Sequence, residues 1–188
     1  MRRRRVLRLG LLAAAAVAVG GHTPYPQWVV YRRRNLFIVA GRTDEAAVAL
    51  ARAAAAILAA RLPASKAQAT RATNVLRVGS LIATGQLDLA VLTDREAAAL
   101  LDGSGPFASI GAAPLRTVFA FGGHLLVARP DFRARHAYLV AEALDRSRDE
   151  LPAPVPVGAP MSAVPLHPGV AAYFDGLPAP ADRAAGDE

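Results

Sequence analysis

Gly85-Gln86-Leu87-Asp88-Leu89-Ala90-Val91-Leu92-Thr93-Asp94-Arg95-Glu96 changes its hydrophobic period within a single short stretch. Residues 87–92 are an apolar run of strand length, broken only by Asp88, as expected of a strand buried on both faces of a parallel sheet. Thr93 and Glu96 then make a Thr-x-x-Glu capping box, in which the two side chains satisfy helix-start amides reciprocally. A helix therefore follows at once and runs to Gly103. Ahead of the strand, Gly85 stands where a left-handed cap closes a preceding helix. Asp88, inside the predicted strand, needs a polar partner and is expected to hydrogen-bond a neighbouring turn.

The same alternation extends in both directions. Residues 36–40 read as a short buried strand, and Gly41 allows a turn. Thr43, Asp44 and Glu45 begin a helix over 46–60 with Leu50, Ala54, Ile57 and Leu58 on one side and Arg52 opposite. Pro63 stops it. A weaker strand over 66–70 and a polar turn over 71–74 lead to a helix with Val75, Val78 and Ile82 on one face. Residues 36–102 thus alternate strand and helix, which predicts an α/β fold with a mostly parallel sheet flanked by helices. Strands over 115–120 and 125–129, separated by Gly122-Gly123, are expected across or beside that core. A helix over 133–146 follows, with Ala137, Val140, Ala141 and Leu144 inward. Residues 151–180 hold eight of the 14 prolines and one periodic piece, 168–174, so they are expected to wrap the domain without adding sheet.

Composition bounds the rest. At 188 residues, with 53% hydrophobic and 20% charged residues, the chain suits one folded domain and is not disordered. Zero cysteine excludes disulfides, thiolate metal sites and a cysteine nucleophile. The formal charge of +7 invites a nucleic-acid reading, but Arg2, Arg3, Arg4, Arg5 and Arg8 supply five of those charges, leaving 17 basic residues against 15 acidic ones. Those arginines precede an apolar run over 9–19 and the small residues Ala16-Val17-Ala18, the pattern of a secretory leader. The expectation is an exported, periplasmic chain, with residues 1–21 a signal peptide or, with 9–30 retained, an inner-membrane anchor. Residues 22–34 form a basic segment ending in Arg32-Arg33-Arg34, 35–150 the α/β lobe, and 151–188 a proline-rich wrap and tail.

Parallel α/β sheets bind ligands beyond the carboxyl ends of their strands. Here those ends carry Arg42 and Thr43, then Thr70, Arg71, Thr73 and Asn74, then Thr93 and Asp94. Each precedes a helix start, whose free amides favour an anion, and Arg42 and Arg71 add forked donors suited to a carboxylate. Taken singly, Thr43, Asn74 and Thr93 also read as ordinary N-caps and the arginines as solvated. His22, His124, His136 and His167 have no metal-ligand spacing, and His167 before Pro168 reads as a helix cap. No acid–base pair, nucleophile elbow or phosphate loop is visible, so neither an enzyme nor a cofactor or metal is expected.

Three stretches resemble the TAXI-type solute receptors of TRAP transporters, within the type II periplasmic-binding fold. The first is Ala67-Gln68-Ala69-Thr70 with Asn74 and the run from Gly85 to Leu92. The second is Gly103-Ser104-Gly105-Pro106-Phe107 with Leu115-Arg116 and Leu125-Leu126-Val127-Ala128-Arg129. The third, and most specific, is Val164-Pro165-Leu166-His167-Pro168-Gly169-Val170 with Tyr173. Together they cover under half of the chain. The resemblance implies a binding protein for a small organic acid or amino acid that serves a membrane transporter subunit. Two departures matter. Gly41-Arg42-Thr43-Asp44-Glu45-Ala46 lacks the family's second glycine and paired tyrosines, and too few residues separate Arg129 from Pro165 to form the family's second lobe. The resemblance therefore implies one lobe of a two-lobe clamp, with self-association a way to supply the missing wall. A rival expectation is an envelope interaction protein that kept the receptor fold and lost solute binding.

Overall fold

The computed structural model describes residues 35–181; the expected leader and the basic run Arg32-Arg33-Arg34 lie outside the described residues. Five strands, β1 (Phe37–Gly41), β2 (Gln68–Ala72), β3 (Leu89–Thr93), β4 (Arg116–Ala120) and β5 (His124–Ala128), form one sheet in the order β2-β1-β3-β5-β4. β1 pairs in parallel with β2 and β3, while β5 runs antiparallel to both β3 and β4. Four of the five strands therefore share one direction. The fold is α/β as expected, and the pair β4–β5 lies beside the parallel core, inverted so that the later strand sits next to β3.

Helices cover both faces. On one, α1 (Glu45–Arg61), α4 (Ala134–Asp145) and α5 (Pro168–Phe174) bury Leu50, Ala54, Leu58, Val140, Leu144 and Val170 against Ile38, Leu89, Val91 and Leu126. On the other, α2 (Val75–Ala83) and α3 (Asp94–Asp102) bury Val78, Ile82, Ala97 and Leu100 with Phe107 against Val39, Ala90, Leu92 and Val127. Successive residues of β3 thus feed alternate cores, which is why the strand reads as a continuous apolar run. Each large aliphatic side chain so buried contributes about 1.5–3 kcal/mol relative to exposure.

Two strands begin later than their apolar patterns predict. Pro63–Ser65 make a 3-10 turn closed by Lys66 in the left-handed region at φ 47°, so β2 starts at Gln68 and takes in Arg71 and Ala72, expected in the following turn. The amides of Gln86 and Leu87 donate to the Leu81 carbonyl at 2.9 and 3.2 Å, which ties the chain to the end of α2. Leu87 therefore packs into the α2–α3 core, and Asp88 sits exposed before β3 instead of inside it. Arg129 braces this corner, donating to the Ala83 carbonyl at 3.0 Å while its fork grips Asp131.

The proline-rich wrap does add to the sheet, against expectation, by one bridge. The Thr117 amide donates to Pro165 O at 2.8 Å and the His167 amide donates to Thr117 O at 2.9 Å, on the free side of β4. The buried Thr117 hydroxyl meets Val164 O at 3.0 Å. His167 then caps α5, as expected: Nδ1 accepts from the Gly169 amide at 3.2 Å and Nε2 bonds the Phe132 carbonyl at 2.8 Å. That pairing defines a neutral ring with its proton on Nε2. Pro168 fills the first helical position, where no amide is needed. Gly169 allows α5 to meet α4 directly, since a Cβ there would fall 1.9 Å from the Ala134 carbonyl oxygen. On the same helix, Tyr173 donates to Asp145 at 2.9 Å and stacks edge-on against Tyr138.

Two outcomes follow from this corner. Gly169→Ala should destabilise the domain by about 1–3 kcal/mol, read as a lower urea midpoint, because the clash is with backbone. Burial also pushes the His167 pKa below its ordinary 6.5. The unfolded chain therefore binds the proton first, and stability is full above about pH 6.5 and declines as pH falls from there toward the lowered folded value. His167→Gln should abolish that decline between pH 6.5 and 5 in denaturation series.

Candidate functional site

The carboxyl ends of β1, β2 and β3 meet at one edge, joined by the tip of the β4–β5 hairpin. The Arg42 amide donates to the Ala72 carbonyl at 2.9 Å, coupling the end of β1 to that of β2. A Cβ on Gly41 would lie 3.5 Å from the Val75 amide nitrogen, so the β1 turn touches the start of α2. β5 pairs His124 with Thr93, and the Asp94 amide donates to the Gly123 carbonyl at 3.2 Å. Six of the eight predicted residues, Arg42, Thr43, Thr73, Asn74, Thr93 and Asp94, are brought to this edge. Arg42, Thr43, Thr73, Asn74 and Asp94 are exposed there, and Thr93 is half-buried.

Thr70 and Arg71 are not at the edge. The late start of β2 places them within the strand, opposite Val39 and Ala40. They line a groove of about 380 Å³ on the outer flank of the sheet, with Val48, Ala51 and Arg52 of α1 and with Ala69. A second concavity, of about 500 Å³, lies along residues 148–157 and contains none of the predicted residues.

Each helix start at the edge is capped from within the chain. Asp44, not Thr43, is the N-cap of α1 and accepts from the Ala47 amide at 2.9 Å. Asn74 accepts from the Arg77 amide at 2.9 Å. Thr93 and Glu96 form the complete capping box, with Glu96 accepting from the Thr93 amide at 3.0 Å and the Thr93 hydroxyl accepting from the Glu96 amide at 3.2 Å. These caps fill the most inward helix-start amides, so an anion here depends on the remaining first-turn amides and on side chains such as Arg42.

The sequence reading missed the pair that spans this edge. Asp44 Oδ2 lies 2.9 Å from His124 Nε2, linking the β1–α1 turn to the β4–β5 hairpin across the end of β3. Burial alone would raise the Asp44 pKa, but the Ala47 amide and the hydrogen bond and charge of His124 outweigh it, and the carboxyl titrates below its usual 3.8. Asp44 has a local signal, an acid just before an apolar helix. His124 has none, because its neighbour is set by a pairing between strands distant in sequence. Among the described residues, no group of three or more His, Asp or Glu is placed to hold a metal ion, and no helix is long and apolar enough to cross a membrane.

Comparison with models of known protein families and with curated proteins finds no match for this chain.

Asp44 serves two structural contacts, so Asp44→Ala should lower stability by at least the loss of a cap, about 1 kcal/mol. Because its folded pKa is depressed, its contribution is present above about pH 3.8 and disappears as pH falls through the lower folded value. Acid denaturation of Asp44→Asn should accordingly lack part of the wild-type loss of stability below pH 4.

Proposed function

We propose that this chain is a solute-binding receptor for a small organic acid or amino acid, working with a membrane uptake subunit after export. The observation that carries the reading is the gathering of Arg42, Thr43, Thr73, Asn74, Thr93 and Asp94 on one carboxyl edge of a mostly parallel sheet. It is the place where α/β sheets of this kind take ligands. Support also comes from the three sequence stretches that resemble TAXI-type receptors, one of which, His167-Pro168-Gly169, forms the α4–α5 joint. Arg42 is an exposed cationic anchor at the edge, with the polar caps Asp44, Asn74 and Thr93 at the helix starts there.

A second reading, an envelope interaction protein without solute binding, is favoured by one observation. Asp44, Asn74 and Thr93 already occupy helix-start amides, and the Asp44–His124 pair ties the edge together.

Thermal shift against a panel of dicarboxylates and amino acids separates the two readings. A ligand at 100 times its dissociation constant stabilises by about 2.7 kcal/mol, a clear rise in melting temperature. Arg42→Ala should reduce the rise, and Arg71→Ala should not, since it lies on the flank. Because the edge is open to water, binding should weaken as salt shortens the screening length from about 10 Å at 0.1 M. No stabilisation by any acid, with the wild-type chain folded, favours the interaction protein.

A further inference from the structure

β2 is an outer strand, paired only with β1 among the described residues. In that parallel ladder the Gln68 amide donates to Leu36 O and the Ala72 carbonyl accepts from the Arg42 amide. Backbone groups alternate sides along a strand, so Ala69 and Arg71 direct their N–H and C=O outward. Both residues are exposed. Beside them runs the groove of about 380 Å³ between β2 and α1, with Val48, Ala51 and Ala69 as its apolar wall and Arg52 and Arg71 as its cations. Neither arginine makes an ion pair among the described residues, whereas Arg61, Arg129, Arg146 and Arg148 all do.

We propose that this flank is a docking site for an extended acidic segment of another protein, which adds as a strand outside β2 and places alternate acidic side chains on Arg52 and Arg71. Strand addition takes its affinity from main-chain hydrogen bonds and its selectivity from alternate side chains. An added strand would lie about 4.8 Å from β2, with every second side chain directed toward α1. Charge selects the occupant. A second copy paired through β2 would bring both copies' Arg52 and Arg71 to one seam, and like charges across a ladder repel. The opposite edge of the sheet is different: the chain's own residues 165–167 bridge β4. A charged residue on a short edge strand commonly discourages indiscriminate pairing. Here the same charge makes pairing selective for an acidic chain. The inference is independent of the solute-binding reading, which concerns the carboxyl edge.

The test is an NMR titration of the intact, isotope-labelled chain with the capped peptide Val-Glu-Val-Glu-Val-Glu-Val. Saturable shifts at the Ala69 and Arg71 amides, with slowed hydrogen exchange there, are expected. Arg52→Glu and Arg71→Glu should each weaken binding about fivefold or more while leaving the melting temperature unchanged. The same peptide N-methylated at two successive central residues, which keeps every side chain but lacks those donors, should bind about tenfold more weakly. The proposal is overturned by equal binding of a Val-Lys repeat, by succinate competing as well as the peptide does, or by shifts confined to the carboxyl edge. Concentration-dependent dimerisation through β2 without peptide would also overturn it, as would no shift at all.

Discussion

A strand buried on both faces cannot leave its amides and carbonyls unpaired, and β3 imposes that constraint on the whole domain. Leu89, Ala90, Val91 and Leu92 are at most 1% exposed and alternate between the two cores. Water is excluded from both faces, so the ladder must be closed on both sides, since an unpaired buried peptide group costs free energy comparable to a lost hydrogen bond. β1 closes one side in parallel and β5 closes the other antiparallel. Because β5 runs backwards, the tip of its hairpin with β4 arrives at the carboxyl end of β3. That direction brings Gly123 to the Asp94 amide and His124 to Asp44. The composition of the candidate edge is thus a consequence of how a buried strand satisfies its backbone.

The alternation of elements was legible because each depends on local chemistry. The apolar run of β3, the Thr93–Glu96 box, the amphipathic faces of α2 and α4, and the His167-Pro168 start of α5 all declare themselves within a few residues. Strand starts were less legible. A left-handed Lys66 and two amides bound to Leu81 O delay β2 and β3, and neither is encoded in an apolar pattern. That small slip decides the fate of Thr70 and Arg71, which move from the carboxyl edge to the flank. The place of β5 between β3 and β4 was not readable either. Spacing marks a strand and a Gly-Gly turn, but the pairing is nonlocal and follows from what β3 lacks. His124 inherited that illegibility, whereas Asp44 stood in the right position for a cap beside the residue chosen instead, Thr43.

The two outer strands meet their exposed edges differently. β4 is covered: residues 164–167 run along it, Thr117 bonds Pro165 and His167 through its backbone and Val164 through its hydroxyl, and His167 passes directly into α5. The histidine's two ring nitrogens join the Phe132 carbonyl to the Gly169 amide, so the segment that closes the edge also locks α5 onto α4. This explains why a proline-rich region contributes to stability despite adding no full strand. Proline cannot donate to a ladder, yet Pro165 offers its carbonyl, which is the only group the bridge asks of it. β2 has no such cover among the described residues and carries Arg71 on its outward side.

The chain therefore offers cationic groups in two physically different settings. At the carboxyl edge, the caps Asp44, Asn74 and Thr93 have taken helix-start amides, so the proposed recognition of an anion rests chiefly on Arg42, with Asp44 held by His124 and Asp94 also at this edge. An acid bound there meets mixed charge in high dielectric, where each contact is modest. A useful site usually buries most of its ligand, so tight binding at this edge requires a further wall beyond the one the described residues form. On the flank, Arg52 and Arg71 have no acidic neighbour in an ion pair among the described residues and stand beside backbone groups that already point outward. There the missing wall is not needed, because an extended chain brings its own hydrogen bonds along the strand. The edge suits a small molecule only in company, and the flank suits a chain from the outset.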